Sequence, residues 1–284
     1  MTARKTKGFA SVLDAHLKNN MPPPNTCRTS LLSALLVWLT VSTPQAWAMD
    51  NTEDIDTNRP SFMFSPLVVP KGSLQLESGT LYQHFQHGTN YFDISETQVR
   101  AGLTKRTEFQ MFVPNFVLTH QSHTGLTNAG VSDLGEVGIK QQIGPLKKLQ
   151  LCIIPSLNIP TGSTTISGRG VQPVLRAPWG YPLNKNWSIM GMQSLLLLNS
   201  GRDIQYQPDF MLSRTVGPRA GVFAEYVGFF THQAAPQQIA HFGGVYKVTR
   251  HHQLDMHFGF GMNKSAPAAF VGAGYSFRFD KLPL

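Results

Sequence analysis

The 284-residue chain has no run of 18 or more apolar residues. A helix needs about 20 to cross a bilayer, so a bundle of membrane helices is excluded. Charge is also scarce: Asp, Glu, Lys and Arg make up 14% of the residues, against roughly 25% in soluble domains. The net charge of +8 is not gathered into a stripe. Neither zinc-finger spacing nor a helix-turn-helix pattern occurs, and nucleic acid is not an expected partner. No G-x-S-x-G, H-E-x-x-H, P-loop or dinucleotide fingerprint is present, so no enzyme class and no cofactor is indicated. Only two cysteines occur, Cys27 and Cys152, too few for a disulfide framework. What the chain does have is glycine (25 residues) and phenylalanine (18 residues). Low charge, much Gly and Phe, and no long apolar run are the composition of a membrane β-barrel, in which alternation hides hydrophobicity from window averages.

The first 48 residues read as an address. Arg28 precedes the apolar stretch LLSALLVWLTV at 31–41, which is too short to span. Ala46-Trp47-Ala48 then places small residues at the −3 and −1 positions of a signal-peptidase site. Cleavage is expected after Ala48, leaving Met49 first, and Met21 is a candidate initiator for an over-extended leader. Cys27 leaves with the leader, and Cys152 is read as a small buried or lipid-facing residue.

Residues 49–72 are polar and broken by Pro60, Pro66 and Pro70, so no regular element is expected there. From residue 73 to 279 the chain alternates. Strands are expected at 73–86, 91–103, 107–118, 132–142, 148–160, 171–182, 187–198, 203–214, 219–230, 238–248, 253–262 and 268–279, followed by a short tail at 280–284. Each is near the length that crosses a membrane at a tilt. Leu254, Met256, Phe258, Phe260 and Met262 alternate with Gln253, Asp255, His257, Gly259 and Gly261. Phe109, Met111 and Val113 alternate with Glu108 and Gln110, and Val137 and Ile139 with Glu136, Gly138 and Lys140. A water-accessible lumen accepts charges beside glycines more readily than a sandwich does. The connections sort too: TKR, GPLKK, LNKN, VGPR and TRHH are short, whereas THQSHTGLTNAGV and TGSTTISGRG on the other side are long. The expectation is an all-β, closed antiparallel transmembrane β-barrel of about 12 strands in a Gram-negative outer membrane, with its short turns in the periplasm. Outer-membrane lipid and small-molecule solutes are its expected partners. Trp179, Tyr181, Trp187, Tyr226, Tyr246 and Tyr275 are candidates for aromatic girdles.

Parity assigns Glu77, Arg100, Glu108, Glu136, Lys140, Asp209, Glu225, Asp255 and Arg278 to the lumen. On the lipid face Arg or Lys would cost about 2–4 kcal/mol near the midplane. These side chains are candidates either for filling and stiffening the lumen or for selecting solutes by charge and size. Arg59 and Pro60 mark residues 50–70 as a candidate plug, with Arg59 pairing an inward acid such as Glu77 or Glu108. The histidine pairs His84/His87, His120/His123 and His251/His252 lack metal-ligand spacing, since i and i+3 on a strand face opposite ways. Ser122 beside His123, with His120 and His232 also near loop ends, leaves a barrel lipid hydrolase as the weakest alternative.

Residues 56–79, DTNRPSFMFSPLVVPKGSLQLESG, carry Arg59-Pro60, Ser65-Pro66, Val69-Pro70-x-Gly72 and Gln75-x-Glu77-x-Gly79. VRAGLTKRTEFQMFVP (99–114), SDLGEVGIK (132–140), Pro160-Thr161-Gly162 and VGAGYSFRF follow. In this the chain resembles the outer-membrane transporter family named for the meta-pathway of phenol degradation. It departs from that pattern at Asn58, where an acid often stands, and in the apolar Phe62-Met63-Phe64. The resemblance implies a porin-like channel for small, often aromatic or hydrophobic, compounds and no catalytic residue. A structural or surface-interaction barrel with a sealed lumen is the main alternative. The last strand also resembles the C-terminal signal read by the barrel assembly machinery, with Phe279 as its final aromatic and residues 280–284 as a departure.

Overall fold

A computed structural model describes residues 54–280, apart from residues 169 and 233. The leader, its cleavage site, Cys27, Met21 and the last four residues lie outside the described residues.

Fourteen strand segments form one antiparallel sheet: β1 (Leu74–Phe85), β2 (Thr89–Gly102), β3 (Thr107–Val113), β4 (Phe116–Gln121), β5 (Thr127–Val131), β6 (Leu134–Gln142), β7 (Gln150–Ile159), β8 (Gln172–Pro182), β9 (Trp187–Leu198), β10 (Asp203–Thr215), β11 (Ala220–Thr231), β12 (Gln237–Lys247), β13 (His252–Gly261) and β14 (Pro267–Phe279). β3 and β4 both pair with β2, and they are two halves of one stave interrupted at Pro114-Asn115. β5 and β6 likewise form one stave interrupted at Ser132-Asp133. The wall therefore has twelve staves. It closes where β14 pairs with β1, in a register that runs from Leu74↔Phe279 to Phe85↔Pro267. Closure leaves no free sheet edge, which hydrocarbon requires, because an unpaired backbone group there has no water to bond.

The largest difference from expectation lies in the third and fourth staves, where the expected strand 107–118 is broken at Pro114-Asn115. Residues 119–131 are not a long loop: β4 runs to Gln121, β5 begins at Thr127, and only 122–126 turn. The polar residues that suggested a loop form the protruding end of a hairpin, where water substitutes for lipid.

The alternation has a simple spatial meaning. Met256, Phe258 and Phe260 are exposed on the outside, as are Val271, Tyr275 and Phe279. Asp255, His257, Ser276 and Arg278, one residue off, are buried inside. Tyr181, Tyr246 and Tyr275 are exposed on the outer face near strand ends, the position a girdle residue would take. Cys152 is buried inward with Met63, Phe64, Ile154 and Met192.

Parity slips at three adjacent places. In β2, Ser95 has a φ of 63° and the register against β1 shifts between Gly79 and Leu81. In the next stave the slip falls at Pro114, a residue that cannot donate to the ladder. In β6, Glu136 has a φ of 43° and the register against β7 shifts between Leu134 and Val137. Each is a bulge-like irregularity that re-aims the following side chains.

Candidate functional site: the lumen

Residues 54–72 form neither helix nor strand and lie within the barrel. Ile55, Asn58, Met63, Phe64, Val68 and Val69 are all buried. The segment enters at the short-turn end, where the Ile55 amide donates to the Arg250 carbonyl (2.7 Å). It returns there at Gly72, whose amide donates to the Gly102 carbonyl (2.8 Å).

Wall charges hold it at several heights. Glu77 accepts from the amides of Asn58 (2.8 Å) and Arg59 (2.9 Å). Glu225 accepts from Phe62 (3.2 Å) and Met63 (3.1 Å). Glu108 accepts from Val69 (2.7 Å). Arg100 lies between Glu77 (2.7 Å) and Glu108 (2.7 Å) and also donates to the Asp56 carbonyl (3.0 Å). Lys140 faces Glu108 (3.6 Å) and donates to the carbonyls of Ser65 (3.1 Å) and Leu67 (3.3 Å). A buried charge this well surrounded is satisfied; removal of one member would strand the others.

Arg59 does not take the partners expected for its side chain. Glu77 holds its backbone, and Glu108 is taken by Arg100 and Lys140. The guanidinium instead reaches Asp255 (3.2 Å) and, more loosely, Glu96 (3.8 Å). Gly79 and Gly274 are paired across the β1–β14 seam. A Cβ on either would fall on the Arg59 guanidinium. The two glycines therefore form the slot in which this cation lies.

Above the segment is a cavity of about 280 Å³. Arg59, Phe62 and Phe64 line it from the segment, and Ile166 and Gly168 from the loop after β7. Asp133 ties that loop inward, accepting from the amides of Gly162 (2.9 Å) and Gly168 (2.8 Å). The three irregular staves supply one wall. There Tyr91 donates to Asp93 (3.2 Å), Asn115 to Asp93, and Ser132 to Asn115. Val113, expected outward, lies at the break and lines the cavity. Glu136 forms a bidentate pair with Arg176 (2.5 and 2.8 Å), which also lies 5.1 Å over the Phe64 ring.

The remaining candidates are placed as follows. Asp209 is fully buried and takes long hydrogen bonds from Gln207 (3.3 and 3.5 Å). Arg278 pairs with Asp280 (2.7 Å) just beyond β14. Burial pulls the Asp280 carboxyl up, but hydrogen bonds from Arg278 and Ser73 outweigh it and hold the group below the ordinary carboxylate range. Pro60 lines the cavity beside Arg59. Sequence reasoning missed Arg176, Asp93, Glu96 and the buried His241. His241 bonds Glu225 (2.6 Å) and His257 (2.9 Å) and touches Phe62 edge-on. Arg176 and His241 could have been found by parity alone. So could Glu96, which shares the parity of Arg100, but Asp93 could not, since the bulge at Ser95 turns residues of opposite parity to the same side. Ser122, beside His123, accepts a long hydrogen bond from Asn90 (3.5 Å).

A closed antiparallel barrel with an apolar exterior and a charged interior defines an outer-membrane protein with the architecture of that membrane's channels. The chain belongs to the family described as "Putative MetA-pathway of phenol degradation", whose model matches residues 57–279. It is similar in fold to the COG4313 outer membrane channel from Pseudomonas putida F1, with 15% identity, a TM-score of 0.55, and coverage of 76% of this chain and 98% of that one. The KdgM porin in complex with disordered oligogalacturonate is also similar, with 8% identity, a TM-score of 0.50, and coverage of 73% and 99%. No curated protein matches the sequence.

Proposed function

We propose that the protein is a passive outer-membrane channel for small solutes, with residues 54–72 as an internal plug. The observation that carries this reading is the cavity of about 280 Å³ ending on that segment. Solute would enter at the long-loop end and meet Arg59, Phe62 and Phe64. Passage then depends on movement of the segment. Phe62, Phe64, Phe112 and Phe229 give the cavity an apolar side, and Arg59, Glu96, Glu136 and Arg176 a charged one. That combination suits small amphipathic compounds, aromatic ones included, and accords with the family's description. The lumen charges would then select by sign and size, and transport would follow the solute gradient.

The dense pinning of the segment also favours a second reading, a structural barrel with a sealed lumen. Planar-bilayer recording separates the two. Deletion of residues 50–66 should raise single-channel conductance, and an unchanged value rejects the plug. Liposome swelling with small aromatic and polar solutes should show entry for the wild type; no swelling with any solute would favour the sealed barrel.

A further inference from the structure

The five short turns repeat one arrangement that neither the lumen nor the closure of the barrel explains. In each, an exposed apolar residue precedes a base by one to three positions: Leu103 and Lys105, Leu146 and Lys147, Leu183 and Lys185, Val216 and Arg219, Val248 and Arg250. The apolar members are 42–57% exposed. Lys148 adds a second exposed base to its turn. Arg214, at the same end, lies 5.2 Å over the Trp187 ring, a cation on an interfacial type of aromatic.

Acids do not balance this ring. Asp54 is paired with Lys247 (3.2 Å), and Asp280 with Arg278 (2.7 Å) and His251 (2.9 Å). Among the described residues, Lys105, Lys147, Lys148, Lys185 and Arg219 have no carboxylate within salt-bridge distance. At the opposite end the connections of the sequence carry three Lys or Arg residues, Arg169, Arg202 and Lys264, against seven in the short turns. Basic residues are thus concentrated at the short-turn end.

The height of the ring follows from its apolar members. Exposed Leu and Val on the outside of a membrane barrel mark the edge of the hydrocarbon. Three residues of chain span at most about 11 Å, so a base one to three positions further on lies within or close to a headgroup layer about 5–8 Å thick. There it meets phosphate. We infer that the short-turn rim is a docking surface for the anionic phospholipid headgroups of the adjoining leaflet, which gather around the barrel and fix its depth and orientation.

The test uses the full barrel in vesicles of equimolar phosphatidylcholine and phosphatidylglycerol, extracted as lipid–protein particles whose retained lipids are counted. The wild type should retain phosphatidylglycerol in excess of the bulk ratio, and added salt should erase the excess, because such attraction is screened. Each base near the surface is worth about five-fold in partition. The combined variant K105Q/K147Q/K148Q/K185Q/R219Q should lose the excess, while R202Q/K264Q should keep it. An unscreened excess, one that survives the combined variant, or one lost with R202Q/K264Q would overturn the inference. If the combined variant does not fold, the salt titration of the wild type still decides. No excess in the wild type would leave the rim to a soluble polyanion and end the proposal.

Discussion

Single residues in this barrel act through what they leave behind when removed. Arg100 neutralises Glu77 and Glu108 and also holds the Asp56 carbonyl. Arg100→Met should therefore destabilise by about 3–5 kcal/mol, since two carboxylates remain buried without it; urea unfolding in detergent would measure this. Gly274 makes the complementary case by size. Gly274→Val fills the slot that holds the Arg59 guanidinium. It should raise conductance without altering any charge, and the same conductance as the wild type would show that Arg59 does not hold the segment. These two residues differ in how readable they were. Arg100 was visible in the sequence, because a cation on an alternating strand has only one affordable face. The slot was not, because Gly79 and Gly274 lie 195 positions apart and meet only when the barrel closes.

Elements carry the next layer of argument. β2, the β3/β4 stave and the β5/β6 stave each slip near the same height, and their residues form one side of the cavity. Pro114 was a signal for this in the sequence, within a segment read as one unbroken strand. A proline inside a strand marks a bulge or break. Ser95 and Asp133 gave no comparable signal, since neither residue type is forced into a break. Ser95 should tolerate Gly but not Val: its φ of 63° suits Gly, and a β-branched residue there is strained. A loss of stability with Ser95→Val and none with Ser95→Gly, read by thermal unfolding, is the expected pair of results. At the seam, Asp280 ties Ser73 (2.8 Å) to Arg278 (2.7 Å). Its folded pKa is depressed, so its stabilising share is complete above the ordinary value near 4. That share is lost as pH falls through the lower folded value. Asp280→Asn should remove this part of the acid sensitivity, which acid-unfolding curves of the two proteins would show.

At the scale of the whole molecule, the apolar exterior defines where lipid must be. Met256 is 67% exposed on β13, between Leu254 and Phe258, which are also exposed. Met256→Arg should cost about 2–4 kcal/mol if this position is near the midplane and less toward an interface. Folding titrations in lipid vesicles would give the value, and no cost would contradict a lipid-facing position. The family match over residues 57–279 spans both the wall and most of the inner segment, so the two belong to one architecture.

The sequence by itself determined the wall: its strand number, its inner and outer faces away from the bulges, and its extent from residue 74 to 279. It could do so because a side-chain period of two, repeated over strands long enough to cross a bilayer, admits one environment on each side. Tertiary structure alone decided what fills that wall. The partner of Arg59, the cavity between the inner segment and the irregular staves, and the Glu225–His241–His257 chain depend on relative strand height. Alternation fixes the face of a residue but not its height, and every bulge resets the count.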